Sequence, residues 1–401
     1  MGALLGACLR REHPEPIGGR ALGQLRGRLP PTPGGKRQGL YAQVFYPADL
    51  GSAELPVERF AWFRPEVIAA LAELQGTSPR LSRWLLGAPA QVDPPRAPER
   101  GHGAGWPIIV FSSGLWGSCE MYTQLCRDLA SGGAIVVAIE HEDGSGLHAV
   151  DGTSGQRIAY VRPPNGSDPR VFRRPFLETR AEELRHAAAA LASAAGQQAG
   201  APAAAEERPG AEALAALLRC GDPDRMLLVG HSFGASSAVG FLRRLRERGE
   251  PCPYKGVLLM DFWSECLEEA DFARPQVPVA MLLSEEWQRS PKLVAGLRAL
   301  AEACGDRMQA AAVCPGTRHQ WVSESHLFLP ARVLRRIGIM GPAEHARSYR
   351  ATARAALLAA EQLLAAGGGG GGADASAEGA AAARLRAELA EVDREAVRLF
   401  E

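Results

Sequence analysis

No stretch of the 401-residue chain approaches the ~20 consecutive apolar residues that a membrane-crossing helix needs. Charge of either sign is not in excess: lysine plus arginine and aspartate plus glutamate stand at 45 each. A nucleic-acid partner would therefore require a local basic patch. The arginine-rich runs, such as FLRRLRERGE, alternate with apolar positions as a solvated helix face does, so no nucleic-acid contact is expected. The eight cysteines, Cys8, Cys119, Cys126, Cys220, Cys252, Cys266, Cys304 and Cys314, form no CxxC pair and keep no metal-ligand spacing with histidine. They read as reduced, mostly buried thiols. This favours a cytoplasmic setting with no bound metal, although a chain of this size could also carry disulfides if secreted. A secretory leader has little support, because MGALLGACLRREHPE has a short apolar stretch with no basic segment before it. Gly2 and Cys8 offer a partial acylation pattern, interrupted by Gly6 where serine or threonine is expected.

What the chain does have is a series of short, continuous apolar runs. LYAQVFYP from Leu40, PIIVFSSG from Pro107, AIVVAIEH from Ala134, RMLLVGHS from Arg225, GVLLMDFW from Gly256, VPVAMLLSEE from Val277 and MQAAAVCPG from Met308 have the composition of strands covered on both faces. Helix-compatible segments lie between them, around Glu120 to Ser131, Glu178 to Ala195, Gly234 to Arg248 and Lys292 to Cys304. The alternation predicts an α/β fold with a mostly parallel sheet and helices on both faces. Residues 1–38 read as a loose leader and 39–365 as the main domain, interrupted by an Ala/Pro/Gly/Glu insertion at 196–210. A glycine-rich linker at 366–376 and an amphipathic helix at 377–401 follow.

One junction carries chemistry. In RMLLVGHSFGASSAVGFL, Gly230-His231-Ser232-Phe233-Gly234 joins a strand to a helix. A nucleophile elbow needs this arrangement: the serine occupies a sharp turn, and side chains two residues to either side would collide with the adjoining strand and helix. The Phe233 N–H, at the start of the helix, is placed to face a developing oxyanion.

A serine hydroxyl is a poor nucleophile unless a base takes its proton and an acid orients that base. In folds with this elbow the chain order is serine, acid, histidine. The histidines downstream are His319, His326 and His345. His319 follows the last predicted strand in CPGTRHQW, where catalytic groups collect. His326 sits in an apolar segment and His345 in a polar one. Two placements suit the acid. Asp261 ends one strand and Glu285 with Glu286 ends the next; Asp261 is preferred because an unpaired carboxylate terminating an apolar strand would be costly. A second oxyanion donor is expected in VFSSGLWGS, where Gly114 and Gly117 admit close backbone approach and Leu115 supplies the N–H.

Taken in order, GLYAQVFYP, WPIIVFSSGLWGSCEMYTQLCRDLASGGAIVVAIEHEDGSG, LLVGHSFGASS, GVLLMDFWSE, PVAMLLSEEW and GTRHQW resemble the platelet-activating factor acetylhydrolase family, the plasma and intracellular type II branch of calcium-independent phospholipases A2. The resemblance runs from about Gly39 to Leu364. It implies an α/β-hydrolase fold, Ser232 as nucleophile, Asp261 as acid, His319 as base, and Leu115 with Phe233 as oxyanion donors. It also implies metal-free hydrolysis of phospholipids with a short or oxidised sn-2 acyl chain, without a cofactor. Ser113 stands where the family has histidine in FSHG, Ala235 where it has a second glycine, and MDFW replaces LDAW; these changes are expected to alter the pocket wall.

The family works at lipid surfaces. Trp62, Phe63, Trp84, Leu85 and Leu86, set among arginines, have the composition of a contact with a membrane or lipoprotein surface, and HLFLPARVLRRIG is a second such segment. An ordinary core helix would have the same composition. Two rival functions remain: a general carboxylesterase for small soluble esters, and a non-catalytic hydrolase-like protein that binds lipid.

Overall fold

The structure, a computed structural model, describes residues 13–31, 38–87, 92–99, 105–196, 209–328, 330–367, 383–390, 392 and 398–399. The strands are β1 (Leu22–Arg28), β2 (Tyr41–Pro47), β3 (Trp106–Ser112), β4 (Ile135–Ile139), β5 (His148–Val150), β6 (Arg157–Ala159), β7 (Gly221–His231), β8 (Gly256–Met260), β9 (Val279–Ser284), β10 (Met308–Cys314) and β11 (Arg398–Leu399). Nine of them form one sheet in the order β1-β2-β4-β3-β7-β8-β9-β10-β11. From β4 to β10 every neighbouring pair is parallel, while β2 runs antiparallel to β4, β1 to β2 and β11 to β10. This is the mostly parallel sheet that the continuous apolar runs predict. β3, β4, β8 and β9 are buried along their whole length, as strands sandwiched between helical layers must be.

The longer helices are α1 (Pro65–Gln75), α2 (Pro79–Leu86), α3 (Thr123–Ser131), α4 (Pro169–Gly196), α5 (Pro209–Leu218), α6 (Phe233–Arg248), α7 (Pro291–Cys304) and α8 (His345–Gly367). Two apolar clusters fill the two faces of the sheet. One packs α4, α5 and α6 against it, and the other packs α3 and α8. Among the described residues, no helix is long and apolar enough to cross a membrane.

The structure corrects the sequence reading at three places. Leu22–Arg28, expected in a loose leader, is β1, an edge strand in register with β2. Two glycines disguise it, and one of them is required: Gly23 lies opposite Tyr46, and a Cβ there would come within 2.5 Å of the tyrosine ring. Its arginines are committed to the fold, with Arg26 bonded to Gln43 and the Trp62 carbonyl and Arg28 to Glu142. Second, the segment expected as one amphipathic helix over 377–401 includes a strand at Arg398–Leu399. Leu385, Leu389 and Val392 lie in the cluster beneath α8, and β11 pairs with β10. The acylation pattern at Gly2 and Cys8, nearly all of the 196–210 insertion and most of the glycine-rich linker lie outside the described residues.

Third, the aromatic segment proposed for a lipid surface is largely interior. Trp62, Phe63 and Leu86 are buried with Val67, Ile68, Ala70 and Leu147 in a satellite core, because α1 and α2 fold their apolar faces inward. Trp84, at 37% exposure, faces solvent, and the Leu85 side chain lies outside the described residues. In the second segment Val333 and Ile337 are exposed while Leu334 is buried.

Candidate active site

β7 ends at His231 and α6 begins at Phe233, so Ser232 alone makes the turn between them. Its backbone has φ 57° and ψ −122°, a region that non-glycine residues avoid. A Cβ on Gly230 would lie 2.6 Å from the Gly234 carbonyl, and one on Gly234 would fall on the Ser112 carbonyl at the end of β3. Both glycines are therefore required by close packing, as the elbow motif predicts. Among the described residues only Trp116, Ser232 and Asp261 are non-glycine residues with positive φ, at 59°, 57° and 42°. Each such residue costs about 1–3 kcal/mol and persists where the surrounding structure enforces it, which is the pattern of a functional centre.

Three elements bring the chemistry together. His319 Nε2 lies 2.9 Å from Ser232 Oγ, and His319 Nδ1 lies 2.9 Å from Asp261 Oδ2. Asp261, just past β8, is wholly buried; it accepts from the Ser284 N–H and hydroxyl, each at 2.6 Å. With Asp261 as acceptor, His319 carries its proton on Nδ1 and leaves Nε2 free to receive the serine proton. Burial, the leading cause, pushes the His319 imidazole down to about 3, so it rests neutral. Burial raises the Asp261 carboxyl, and the bonds from Ser284 pull it back.

The other two downstream histidines pack against one another and against Tyr349. Glu285 and Glu286 do not orient the imidazole either. They accept from the backbone N–H groups of Gly316 and His319, each at 2.8 Å, and so hold the loop that carries His319.

Several contributing residues are absent from the sequence reading. Trp287 stacks on the His319 ring at 3.9 Å with a 13° interplanar angle, and His231 also stacks against it at 4.6 Å with a 27° angle. His231 Nε2 donates to the His319 carbonyl at 3.0 Å, so its Nδ1 accepts from the Tyr122 hydroxyl at 2.9 Å. The Tyr122 oxygen in turn accepts the Gly114 N–H at 3.4 Å. The base loop and the 113–117 loop are thus joined through one continuous chain of bonds. Local sequence gives no signal for it, because its members come from four separate segments.

Gly114 abuts Ser232: an added Cβ there would lie 3.0 Å from Ser232 Cβ. In this loop the N–H groups of Gly114, Trp116 and Gly117 all have acceptors, and that of Leu115 has none among the described residues. Phe233 opens α6, so its N–H has no acceptor one turn back. The departures noted at Ser113, Ala235 and Phe262 are all enclosed by protein, and the latter two lie in the core cluster.

His231, Asp261 and His319 also form the one group of potential metal ligands found among the described residues, with donor atoms within 4.8 Å. The ring nitrogens of both histidines are engaged in the bonds above, so the geometry is that of a proton relay rather than a free donor set.

Comparison with known proteins agrees with this architecture. The sequence profile of the family described as "Platelet-activating factor acetylhydrolase, isoform II" matches residues 31–365. A platelet-activating factor acetylhydrolase from Canis lupus familiaris is 26% identical over 278 residues, covering 63% of this chain and 56% of that protein. One from Bos taurus is 25% identical over 206 residues, covering 48% of this chain and 43% of that protein. The match thus spans about half the length of these relatives. Among solved structures, a ferulic acid esterase from Streptomyces cinnamoneus superposes with a TM-score of 0.57 at 20% identity, covering 98% of this chain and 99% of that one. At that identity it speaks for the fold, which is the α/β-hydrolase fold.

Proposed function

The chain belongs to the platelet-activating factor acetylhydrolase, isoform II, family, and from that premise we propose that it is a serine-dependent hydrolase of the sn-2 acetyl or short acyl ester of phospholipids. The observation that carries this reading is the unbroken relay from Ser232 Oγ through His319 to Asp261, with both bonds at 2.9 Å. Ser232 Oγ attacks the ester carbonyl while its proton passes to His319 Nε2. The N–H groups of Leu115 and Phe233 receive the oxyanion of the tetrahedral intermediate. Collapse expels the lysophospholipid alkoxide, which takes the proton from His319. Water, deprotonated by the same imidazole, then releases the acyl group from Ser232 as the free acid and restores the serine.

A phospholipid is favoured over a small neutral ester by Arg173. This residue is 2% exposed beside Phe172 and Phe176 and bonds to the Tyr160 hydroxyl, yet has no carboxylate partner among the described residues. Its Nη1 has no hydrogen-bond acceptor among the described residues, and its guanidinium lies 6.0 Å from the ring of Phe233, next to Ser232. An uncompensated buried cation beside the reacting group suits a substrate that brings an anion. In a glycerophospholipid only the ester oxygen, two glycerol carbons and one further oxygen separate the sn-2 carbonyl carbon from phosphorus.

The reading is tested by hydrolysis of a phospholipid series graded in sn-2 chain length, alongside a neutral acetyl ester and labelling by a fluorophosphonate. Turnover that falls with chain length, together with labelling of Ser232, is expected; no labelling would leave only a binding protein. Arg173→Met should lower kcat/KM on the short-chain phospholipid by ~10- to 100-fold, the worth of one charge-assisted bond, and leave the neutral ester within about twofold. Equal losses on both would show that Arg173 does not read the phosphate, and a parent enzyme that prefers the neutral ester would be a general carboxylesterase.

The pH profile follows from the base. Hydrolysis needs neutral His319, so activity is full above its pKa and is lost as pH falls through it. Because that pKa is lowered, the acid limb of kcat/KM should lie below 6.5. A limb centred at or above 6.5 in protein still folded by circular dichroism would contradict this.

A further inference from the structure

We propose that Arg180 is a positioning residue for oxyanion stabilisation, locking the 113–117 loop so that the Leu115 N–H points at the reacting carbonyl. The inference rests on the reading of Ser232 as nucleophile. Arg180 lies on α4 and is fully buried. Its Nη1 donates to the Ser113 carbonyl at 2.6 Å, its Nε lies 3.1 Å from Asp143 Oδ2, and its Nε and Nη2 reach Ser145 Oγ at 2.9 and 2.6 Å. The guanidinium also sits 4.8 Å from the Phe233 ring, so one side chain touches both oxyanion segments.

Peptide geometry converts these contacts into aim. In a trans peptide the C=O and the following N–H point in opposite directions. The Ser113–Gly114 peptide is gripped at both ends, its carbonyl by Arg180 and its N–H by Tyr122. The Gly114 carbonyl then accepts the Gly117 N–H at 3.2 Å, which turns the Leu115 N–H to the opposite side and leaves it without an acceptor among the described residues. Asp143 and Ser145 complete the frame. Asp143 accepts from the Ser145 N–H at 3.0 Å and its hydroxyl at 2.7 Å, and the Ser145 carbonyl accepts the strained Trp116 N–H at 3.0 Å. One turn further along α4, Glu183 holds His141 at 2.7 Å, which holds the Ser112 hydroxyl at 2.8 Å. These three residues imitate a second relay, but all are buried, and they fix the end of β3 immediately before the loop.

A buried ion pair adds little to stability compared with apolar residues of the same volume. The Arg180–Asp143 pair therefore has a better explanation in placement, and a planar fork that serves several acceptors at once does what a lysine cannot.

The test uses the full chain, Arg180→Lys, and the double variant Arg180→Met with Asp143→Asn, which leaves no orphaned charge. Readouts are kcat and KM on a soluble acetyl ester, thermal unfolding, and affinity for a trifluoromethyl ketone, whose carbonyl takes up Ser232 Oγ and places its oxyanion among the same donors. The double variant should stay folded, lose ~100-fold or more in kcat with KM within about threefold, and lose ketone affinity in proportion, as for removal of one oxyanion donor. Arg180→Lys should fall between it and the parent. A double variant that keeps kcat within a few-fold, or that loses kcat but not ketone affinity, would overturn the proposal. So would loss of the fold in both variants, which would assign Arg180 to the core alone. Failure of the parent enzyme to turn over ester, or full activity in Ser232→Ala, would instead count against the serine reading itself.

Discussion

Ser232→Ala is expected to lower kcat on a short-chain phospholipid by ~10⁶-fold, since removing the nucleophile from a serine relay costs about as much as removing the whole relay. The expectation comes from the geometry: no other hydroxyl among the described residues bonds His319 Nε2, so nothing can replace Ser232 as the attacking group. A residual rate above the uncatalysed reaction should survive if the Leu115 and Phe233 N–H groups act as the proposed oxyanion donors, because they would still stabilise attack by water. The fold should be intact. Alanine at φ 57° bears the same backbone strain as serine, and the deleted hydroxyl belongs to the site rather than to the core. Steady-state kinetics paired with thermal unfolding checks both halves, and an unchanged kcat in a normally folded variant would remove Ser232 from the mechanism.

Asp261→Asn should reduce kcat by ~10⁴-fold with little change in KM, through the wrong tautomer of the base. Ser284 presents two donors to the carboxylate, so an asparagine placed there turns its carbonyl oxygen toward Ser284 and its NH₂ toward His319 Nδ1. The imidazole must then accept on Nδ1 and carry its proton on Nε2, facing the hydroxyl it should deprotonate. The variant conserves volume, and its amide can satisfy the same neighbours. Its melting temperature should therefore stay close to the parent's while the rate collapses. A drop in rate below tenfold would mean that Asp261 does not orient the base.

The elbow was legible in the sequence because its constraints are local. Two glycines must flank a serine between a buried strand and a helix, and all of that information lies within a few positions of Ser232. His319 and Asp261 were legible because a parallel sheet delivers the ends of successive strands to one edge, so chain order predicts proximity. What depends on distant chain segments was not legible. Nothing near His231 announces that its ring ties the base loop to Tyr122, nor does Arg180 stand out among the other arginines of α4. Trp62 and Phe63 misled for the opposite reason: aromatic residues among arginines suit a lipid surface as well as a small satellite core, and only the folding of α1 and α2 onto Leu147 decides between them. Glu285 and Glu286 stood near enough to rival Asp261 and proved to hold the loop backbone instead.

The sheet's two outermost strands lie beyond the region that the family profile covers. Trimming the protein to residues 31–365 would therefore remove β1 and β11 together. The cut would bare the hydrogen-bonding rims of β2 and β10 while leaving the relay residues in place. Exposed rims recruit strands from other copies, so such a fragment would tend to self-associate and aggregate, and its poor behaviour would say nothing about the chemistry.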